Sequence, residues 1–294
     1  MVLPQTYNDW LEFFENYKKE FADSATYEKD KIGLLQFAAE ELMKKNDFNG
    51  AKKFLDQGIK LAEKLGNRKL IADLLNTLAQ VFYAQRDMQN ADLYMTKAIE
   101  IFKQEFGEDA PEVINLYNNL AIIKEGLGDY DQAILLMLEN IKRAKESGKF
   151  DQMYFASAYN NIAGMFWSKN QPENAREYLE KAREIKEKNL SADDPQLADV
   201  YNNLALVNLN LGNLQQAERY QSMAYDIIHQ HNPESMEMVT ALRNMALIKK
   251  EKNQTIEALE YLSRAVDILK KMFPHGHPEI DEALEVKRQW EEEL

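Results

Sequence analysis

Apolar residues recur along this chain at helical spacing, in stretches of roughly 15–20 residues, and nowhere settle into the strict alternation of a half-buried strand. Short turn signals separate the stretches, among them Asn46-Asp47-Phe48, Gly128-Asp129-Tyr130 and Gly212-Asn213-Leu214. Ala, Leu, Glu, Lys and Gln fill the stretches and the few prolines lie between them, which predicts an all-α chain. Small residues then reveal a repeat. Asn118-Asn119-Leu120-Ala121, Asn160-Asn161-Ile162-Ala163 and Asn202-Asn203-Leu204-Ala205 recur at intervals of 42 residues, and Arg243-Asn244-Met245-Ala246 follows 41 later. Leu78-Ala79 and Ala38-Ala39 carry the phase backwards. A second small series, Ala51, Ala91, Ala133, Ala175, Ala217 and Ala258, trails the first by 12 residues. A third comprises Gly58, Ala98, Ala182, Ala224 and Ala265, with Asn140 as its exception. Small side chains at fixed phases let paired helices approach closely, so each repeat reads as an antiparallel helix pair. The pairs are expected at 26–64, 68–105, 110–147, 150–188, 194–230 and 234–272.

This pattern resembles the tetratricopeptide repeat, in which helix A carries Leu then Gly or Ala and helix B carries two spaced alanines. Gly128-Asp129-Tyr130-Asp131-Gln132-Ala133 is the best match to the turn between them. The usual period of such repeats is about 34 residues. The longer repeat here, with links such as Phe106-Gly107-Glu108-Asp109-Ala110-Pro111, Leu190-Ser191-Ala192-Asp193-Asp194-Pro195 and Phe273-Pro274-His275-Gly276-His277-Pro278, is similar to the kinesin light chain subgroup. The resemblance implies a right-handed α-solenoid, a superhelix of six helix-turn-helix repeats over residues 26–273, in which each pair buries its apolar stripe against its neighbours. Residues 1–25 then form an N-terminal amphipathic helix, with Tyr7, Trp10, Leu11, Phe14, Tyr17 and Phe21 at helical spacing. Polar Asp9 and Asn16 stand where a further helix B would need small apolar residues, so this segment reads as a lid over repeat 1, or as a face for self-association into a homo-oligomer. Residues 274–294 read as a C-terminal capping helix, because Lys287 and Arg288 replace the Leu-Ala pair.

In superhelices of this kind the concave surface comes mainly from helix A. With the recurrent Ala of Leu-Ala as position 8, positions 4, 7, 8 and 11 are expected to pack inside, and 2, 5, 6, 9 and 12 to share the other face. Position 5 reads Gln36, Asn76, Asn118, Asn160, Asn202, Arg243, and position 6 reads Phe37, Thr77, Asn119, Asn161, Asn203, Asn244. Asparagine disfavours a helix interior by roughly a few tenths of a kcal/mol, so a double ladder of it needs an offsetting role. One role is recognition, since each amide offers a donor and an acceptor to the main chain of an extended peptide. The other is hydrogen bonding between successive A helices. Position 9 turns from Glu40 and Gln80 to Ile122, Gly164, Leu206 and Leu247. Gly164 there either opens a shallow apolar pocket or relieves crowding beside Trp167, which shares position 12 with Tyr83. Trp167 is a candidate rim residue, whereas Tyr83 is expected in the core.

Charge refines the choice of partner. With 36 basic and 49 acidic side chains, the net charge of −13 disfavours nucleic acid and anionic membrane surfaces. No apolar run reaches the ~20 residues of a membrane span, and Met1-Val2-Leu3-Pro4-Gln5-Thr6 lacks the plan of a signal peptide, so the expected location is cytoplasmic. Glu40, Asp73, Glu125 and Asp199 point to a neutral or basic segment along the N-terminal half of the groove, and Arg243 and Lys250 to an acidic group at its C-terminal end. Those two cations miss the phases of a carboxylate clamp, and the groove is poor in the basic residues that suit acidic, tryptophan-containing cargo. No cysteine is present, and no nucleophile elbow, phosphate loop, dinucleotide fingerprint or zincin motif occurs, so no catalytic residue, metal or cofactor is expected. His229-Gln230-His231 and His275-Gly276-His277 are read as link residues rather than metal ligands. The expectation is a non-enzymatic scaffold or adaptor that binds a peptide or partner segment. The alternatives are a self-associating structural subunit or a peptide-responsive sensor.

Overall fold

The computed structural model describes residues 3–24 and 26–294; Met1, Val2 and the boundary residue Ala25 lie outside them. Fourteen helices and no strand occur among the described residues. They are α1 (Tyr7–Phe21), α2 (Tyr27–Lys44), α3 (Phe48–Lys64), α4 (Arg68–Ala84), α5 (Met88–Phe106), α6 (Pro111–Gly126) and α7 (Tyr130–Ser147), then α8 (Gln152–Ser168), α9 (Pro172–Asn189), α10 (Gln196–Asn210), α11 (Leu214–His231), α12 (Met236–Glu251), α13 (Thr255–Met272) and α14 (Pro278–Glu292). The chain divides into two compact units, Met1–Phe150 and Asp151–Leu294. The first holds α1 and three helix pairs; the second holds three pairs and α14. Within each unit every helix packs on the next, and α2 also touches α4 as α10 touches α12. This is the packing of an α-solenoid of helix pairs.

The A–B turns explain why the pairs end where they do. Each places one residue in the left-handed region at the same point of the repeat: Asn46, Arg86, Gly128, Asn170, Gly212 and Asn253, with φ between 56° and 80°. Asn and Gly tolerate that conformation, and Arg86 is the member that carries a steric cost, about 1 kcal/mol. The next residue caps helix B in the first three pairs: Asp47, Asp87 and Asp129 accept hydrogen bonds from the backbone N–H of Gly50, Asn90 and Gln132. Beyond the turns, all six alanines of the second small series are buried, as are Ala98, Ala182, Ala224 and Ala265 of the third. Gly58 is held small by Leu74, whose side chain would lie 3.1 Å from an added Cβ. The exception, Asn140, is buried and donates to the carbonyl of Ile114 at 2.8 Å.

The terminal helices close their units. Thr6 and Asp9 form a capping box at the start of α1, and the hydrogen bonds from Thr6 and Gln5 hold the exposed Asp9 carboxyl below its usual range. Asp9 is polar because it caps. Trp10 and Phe14 are buried, with Tyr7 stacked on Phe54 at 4.7 Å, Phe14 edge-on to Phe54 at 5.4 Å and Trp10 edge-on to Phe37 at 5.9 Å. The apolar face of α1 therefore covers α2 and α3, and of its large apolar side chains Leu11 and Phe21 stay exposed. At the other end α14 buries Ile280 and Ala283, while Arg288 is exposed and paired with Glu285 and Glu292.

Candidate functional site

Burial along the A helices defines the face left for a ligand, and it corrects one part of the expected register. Positions 7 and 8 are buried in every repeat, and position 10 is buried from repeat 2 onward through Val81, Ile123, Met165, Val207 and Ile248. Position 11 is not a uniform core position. Phe82, Lys124, Phe166 and Lys249 are half-buried there, with Lys124 paired to Asp92 at 2.7 Å and Lys249 to Glu218 and Glu257 at 2.8 and 2.7 Å. An A helix packs against its own B helix and against the neighbouring pair, so its buried arc is broad and pushes position 11 to the rim.

In the second unit the remaining face holds a cavity of about 130 Å³ lined by Asn160, Ala163, Gly164, Trp167, Leu179, Asn203, Leu206 and Val207. An apolar cavity of about 150 Å³ admits a benzene-sized ring, so this one suits a single apolar side chain. Gly164 is exposed, and a Cβ built on it meets no heavy atom within 4 Å. Relief of crowding beside Trp167 is therefore not what the glycine provides; it leaves open space between Ile122-like and Leu206-like positions. Trp167 stands at the edge, 43% exposed.

A second cavity, about 190 Å³, lies in the first unit among Gln80, Tyr83, Met95, Asn119, Ile122 and Ile123. The expectation of a core Tyr83 is overturned: it is 41% exposed, because position 12 lies past the buried arc. The floors of the two cavities, Met95 and Leu179, occupy one helix-B position, four residues after the buried Ala91 and Ala175. That series reads Leu55, Met95, Met137, Leu179, Gln221, Leu262. A polar residue in an otherwise apolar series was the signal that Gln221 does something different. Its buried amide donates to Asn202 Oδ1 at 2.7 Å and to the carbonyl of Ala241 at 3.2 Å, filling the interval between α10 and α12.

The asparagine ladder is partly committed to stitching. Asn203 Nδ2 donates to Asn160 Oδ1 at 3.2 Å, and Gln36 Nε2 donates to Thr77 Oγ1 at 3.0 Å in the same relation, position 5 of one repeat with position 6 of the next. Asn202 is engaged by Gln221, and Asn244 is buried. Asn76, Asn118, Asn119 and Asn161 are half-buried, and no side-chain hydrogen bond to any of them occurs among the described residues. Leu247 is exposed.

The cations at the C-terminal end are not available for an acidic ligand. Arg243 meets Glu282 at 3.1 Å and Glu279 at 3.7 Å, both on α14, and Lys250 meets Glu293, the C-cap residue of α14, at 2.6 Å. The expected preference for an acidic group there is corrected accordingly: the capping helix supplies those carboxylates. The histidines also have local roles. His231 Nε2 lies 2.8 Å from the Asp193 carbonyl, His229 stacks on Tyr225, and His277 caps α14 while stacking on Phe273.

Repeats, turns and helix pairs of this kind define a tetratricopeptide repeat protein. The family description for the tetratricopeptide repeat matches residues 70–146, 154–228 and 196–271, more than half of the chain, and the chain belongs to that family. No curated protein matches it. Among solved structures the fold is similar to BtubC (BKLC) from P. vanneervenii, at 21% identity and a TM-score of 0.65, covering 80% of this chain and 93% of that one. It is also similar to a Podosopora anserina putative kinesin light chain with nearly identical TPR-like repeats, at 18% identity and a TM-score of 0.59, covering 67% and 94%. A signal transduction ATPase with a tetratricopeptide repeat sensor from Pyrococcus horikoshii aligns at 18% identity and a TM-score of 0.72, covering 97% of this chain and 42% of that one. These likenesses are of fold. The family is one of protein-interaction scaffolds, and no helix of the described residues is long and apolar enough to cross a membrane.

Proposed function

We propose that this protein is a non-enzymatic, cytoplasmic adaptor that binds an extended segment of a partner protein along the A-helix face, with one apolar side chain entering the cavity beside Gly164. The observation that carries this reading is the cavity itself. It combines an open Gly164, a half-exposed Trp167 and the apolar floor of Leu179 with two asparagine amides at its wall. Concave, mostly apolar sites with a few convergent polar groups are where ligands bind, and an exposed aromatic at such a rim is the residue type that dominates binding energy. Self-association through α1 is the weaker reading, because Trp10 and Phe14 are already packed on α2 and α3.

The test is a peptide-array and pull-down screen of the wild type, Gly164→Leu and the triple substitution Asn119→Ala, Asn161→Ala, Asn203→Ala, with circular dichroism on each. Gly164→Leu is expected to fold and to lose the ligands anchored in the cavity beside Gly164. Unchanged ligand selection by a folded Gly164→Leu would refute the cavity as the anchor site.

A further inference from the structure

The two units present A-helix faces of different charge. On α2, α4 and α6, positions 2, 5, 6, 9 and 12 hold three carboxylates, Glu40, Asp73 and Glu125, and no Lys or Arg. On α8, α10 and α12 the same positions hold Asp199 together with Arg243 and Lys250, and both cations are paired with carboxylates of α14 or its C-cap. The acidic excess is thus larger in the first unit, three carboxylates against one, on the face that also carries the Tyr83 cavity.

Glu125 is the informative carboxylate. It lies three residues after Ile122 on α6, and residues so spaced are neighbours on one helix face, about 5–6 Å apart at Cβ. It therefore neighbours Ile122, which lines the cavity with Tyr83, Met95 and Ile123, although Glu125 is not itself among the lining residues. It is half-buried, and no hydrogen bond or ion pair to its carboxylate occurs among the described residues. Lys124 beside it is turned to Asp92. Burial alone pushes the Glu125 carboxyl above its usual range, and burial does the same at Asp73 against the opposing pull of Lys69. A partly desolvated carboxylate without a cation, one helical turn from a residue that lines an apolar cavity, is complementary to a side chain that brings the cation with it.

We propose that the A-helix face of the first unit takes a partner segment in which an apolar side chain lies within two positions of a Lys or Arg, the apolar group entering the Tyr83–Ile122 cavity and the cation reaching Glu125. This rests on the reading of the A-helix face as a partner-binding surface, and it assigns that partner a basic, apolar-anchored chemistry. The amides of Gln80 and Asn119 at the rim are placed to meet the segment's main chain.

The experiment is panning of a random dodecapeptide display library on the full chain, followed by fluorescence anisotropy of labelled winners against wild type, Glu125→Gln, Tyr83→Ala and Gly164→Leu. A class of winners with Lys or Arg within two positions of Leu, Ile, Met or Phe is expected. Its affinity should fall roughly fivefold in Glu125→Gln and weaken with added salt, as a partly exposed ion pair does. It should also fall in Tyr83→Ala. Winners with no basic excess, or a basic class indifferent to Glu125→Gln in a protein whose circular dichroism is native, would overturn the inference and leave the Gly164 reading standing. A basic class lost in Gly164→Leu instead would also overturn it, by moving the site to the other cavity. An absence of any winners would overturn both.

Discussion

Replacing Gly164 with alanine separates a structural glycine from a functional one. The residue lies inside α8 with no positive φ, and an added Cβ meets no heavy atom within 4 Å. Steric cost is therefore absent, and the change should be dominated by helix formation, where Ala is favoured over Gly by about 0.5–1 kcal/mol. Part of that gain acts through the unfolded chain, whose freedom the methyl reduces. For a unit of this size, a gain of that order raises Tm by about 1–4 °C. Thermal and urea melts followed by circular dichroism at constant buffer are the assay, with Gly164→Leu alongside. Leu places a larger side chain in the same cavity and should keep the fold while blocking ligand entry. Repeats 3, 5 and 6 carry Ile122, Leu206 and Leu247 at this position, so the scaffold accepts bulk there. A fall in Tm for Gly164→Ala would refute the reasoning, because it would mean that packing depends on the missing side chain.

Three further outcomes follow from the same geometry. Trp10→Ala should destabilise the first unit by about 3–5 kcal/mol, read as a lower urea midpoint, because a fully buried aromatic leaves a cavity against Phe14 and Phe37, whereas Leu11→Ala should stay within about 0.5 kcal/mol. A double-mutant cycle on Asn160→Ala and Asn203→Ala should give a coupling of about 0.5–1.5 kcal/mol in urea unfolding, and zero coupling would refute the rung between them. Glu125→Gln should stabilise the free protein at neutral pH. With its folded pKa raised by burial, Glu125 contributes stability below the ordinary carboxylate range and loses it as pH rises through the raised value. The gain in Tm at pH 7 should therefore vanish below about pH 4, the usual range for a carboxyl, and a gain that persists there would refute burial as the cause.

The helix pairs were legible because each rests on local, repeated signals. Every expected pair matches the observed helices to within about two residues, since the small-residue phases and the left-handed turn positions recur in each repeat, and Asp caps reinforce the turns of the first three. The site was legible only in outline. Gly164, Trp167, Leu206 and Ile122 do line cavities, but the floors, Met95 and Leu179, come from B helices that a reading of helix A alone passes over. The sequence did carry the cue for position 11, in Lys124 and Lys249, and for position 10, in an apolar series unbroken from Val81 onward. The neutralisation of Arg243 and Lys250 was not legible, because it depends on how α14 docks, 36 to 43 residues further along. Tyr83 was misplaced for a related reason. An aromatic next to a buried arc looks like core until the width of that arc is known.

Stitching and recognition are compatible roles for the asparagines, and the pair beside Gly164 has the geometry for both. Asn160 and Asn203 bond to each other and both line that cavity. An amide has two N–H groups and two acceptor lone pairs, and a single rung uses one donor of Asn203 and one acceptor site of Asn160. The unused groups remain on the cavity wall. The rung ties α8 to α10, so it fixes the width of the mouth and the orientation of those groups before any ligand arrives. Ordering of side chains is a main cost of association, about 0.5–1.5 kcal/mol for each mobile one, and a rung already formed removes it for two. Asn119 and Asn161, half-buried with no such bond among the described residues, would meet that cost on binding. The stitched pair should therefore contribute more to affinity per amide than the unstitched ones, although it offers fewer free hydrogen-bonding groups.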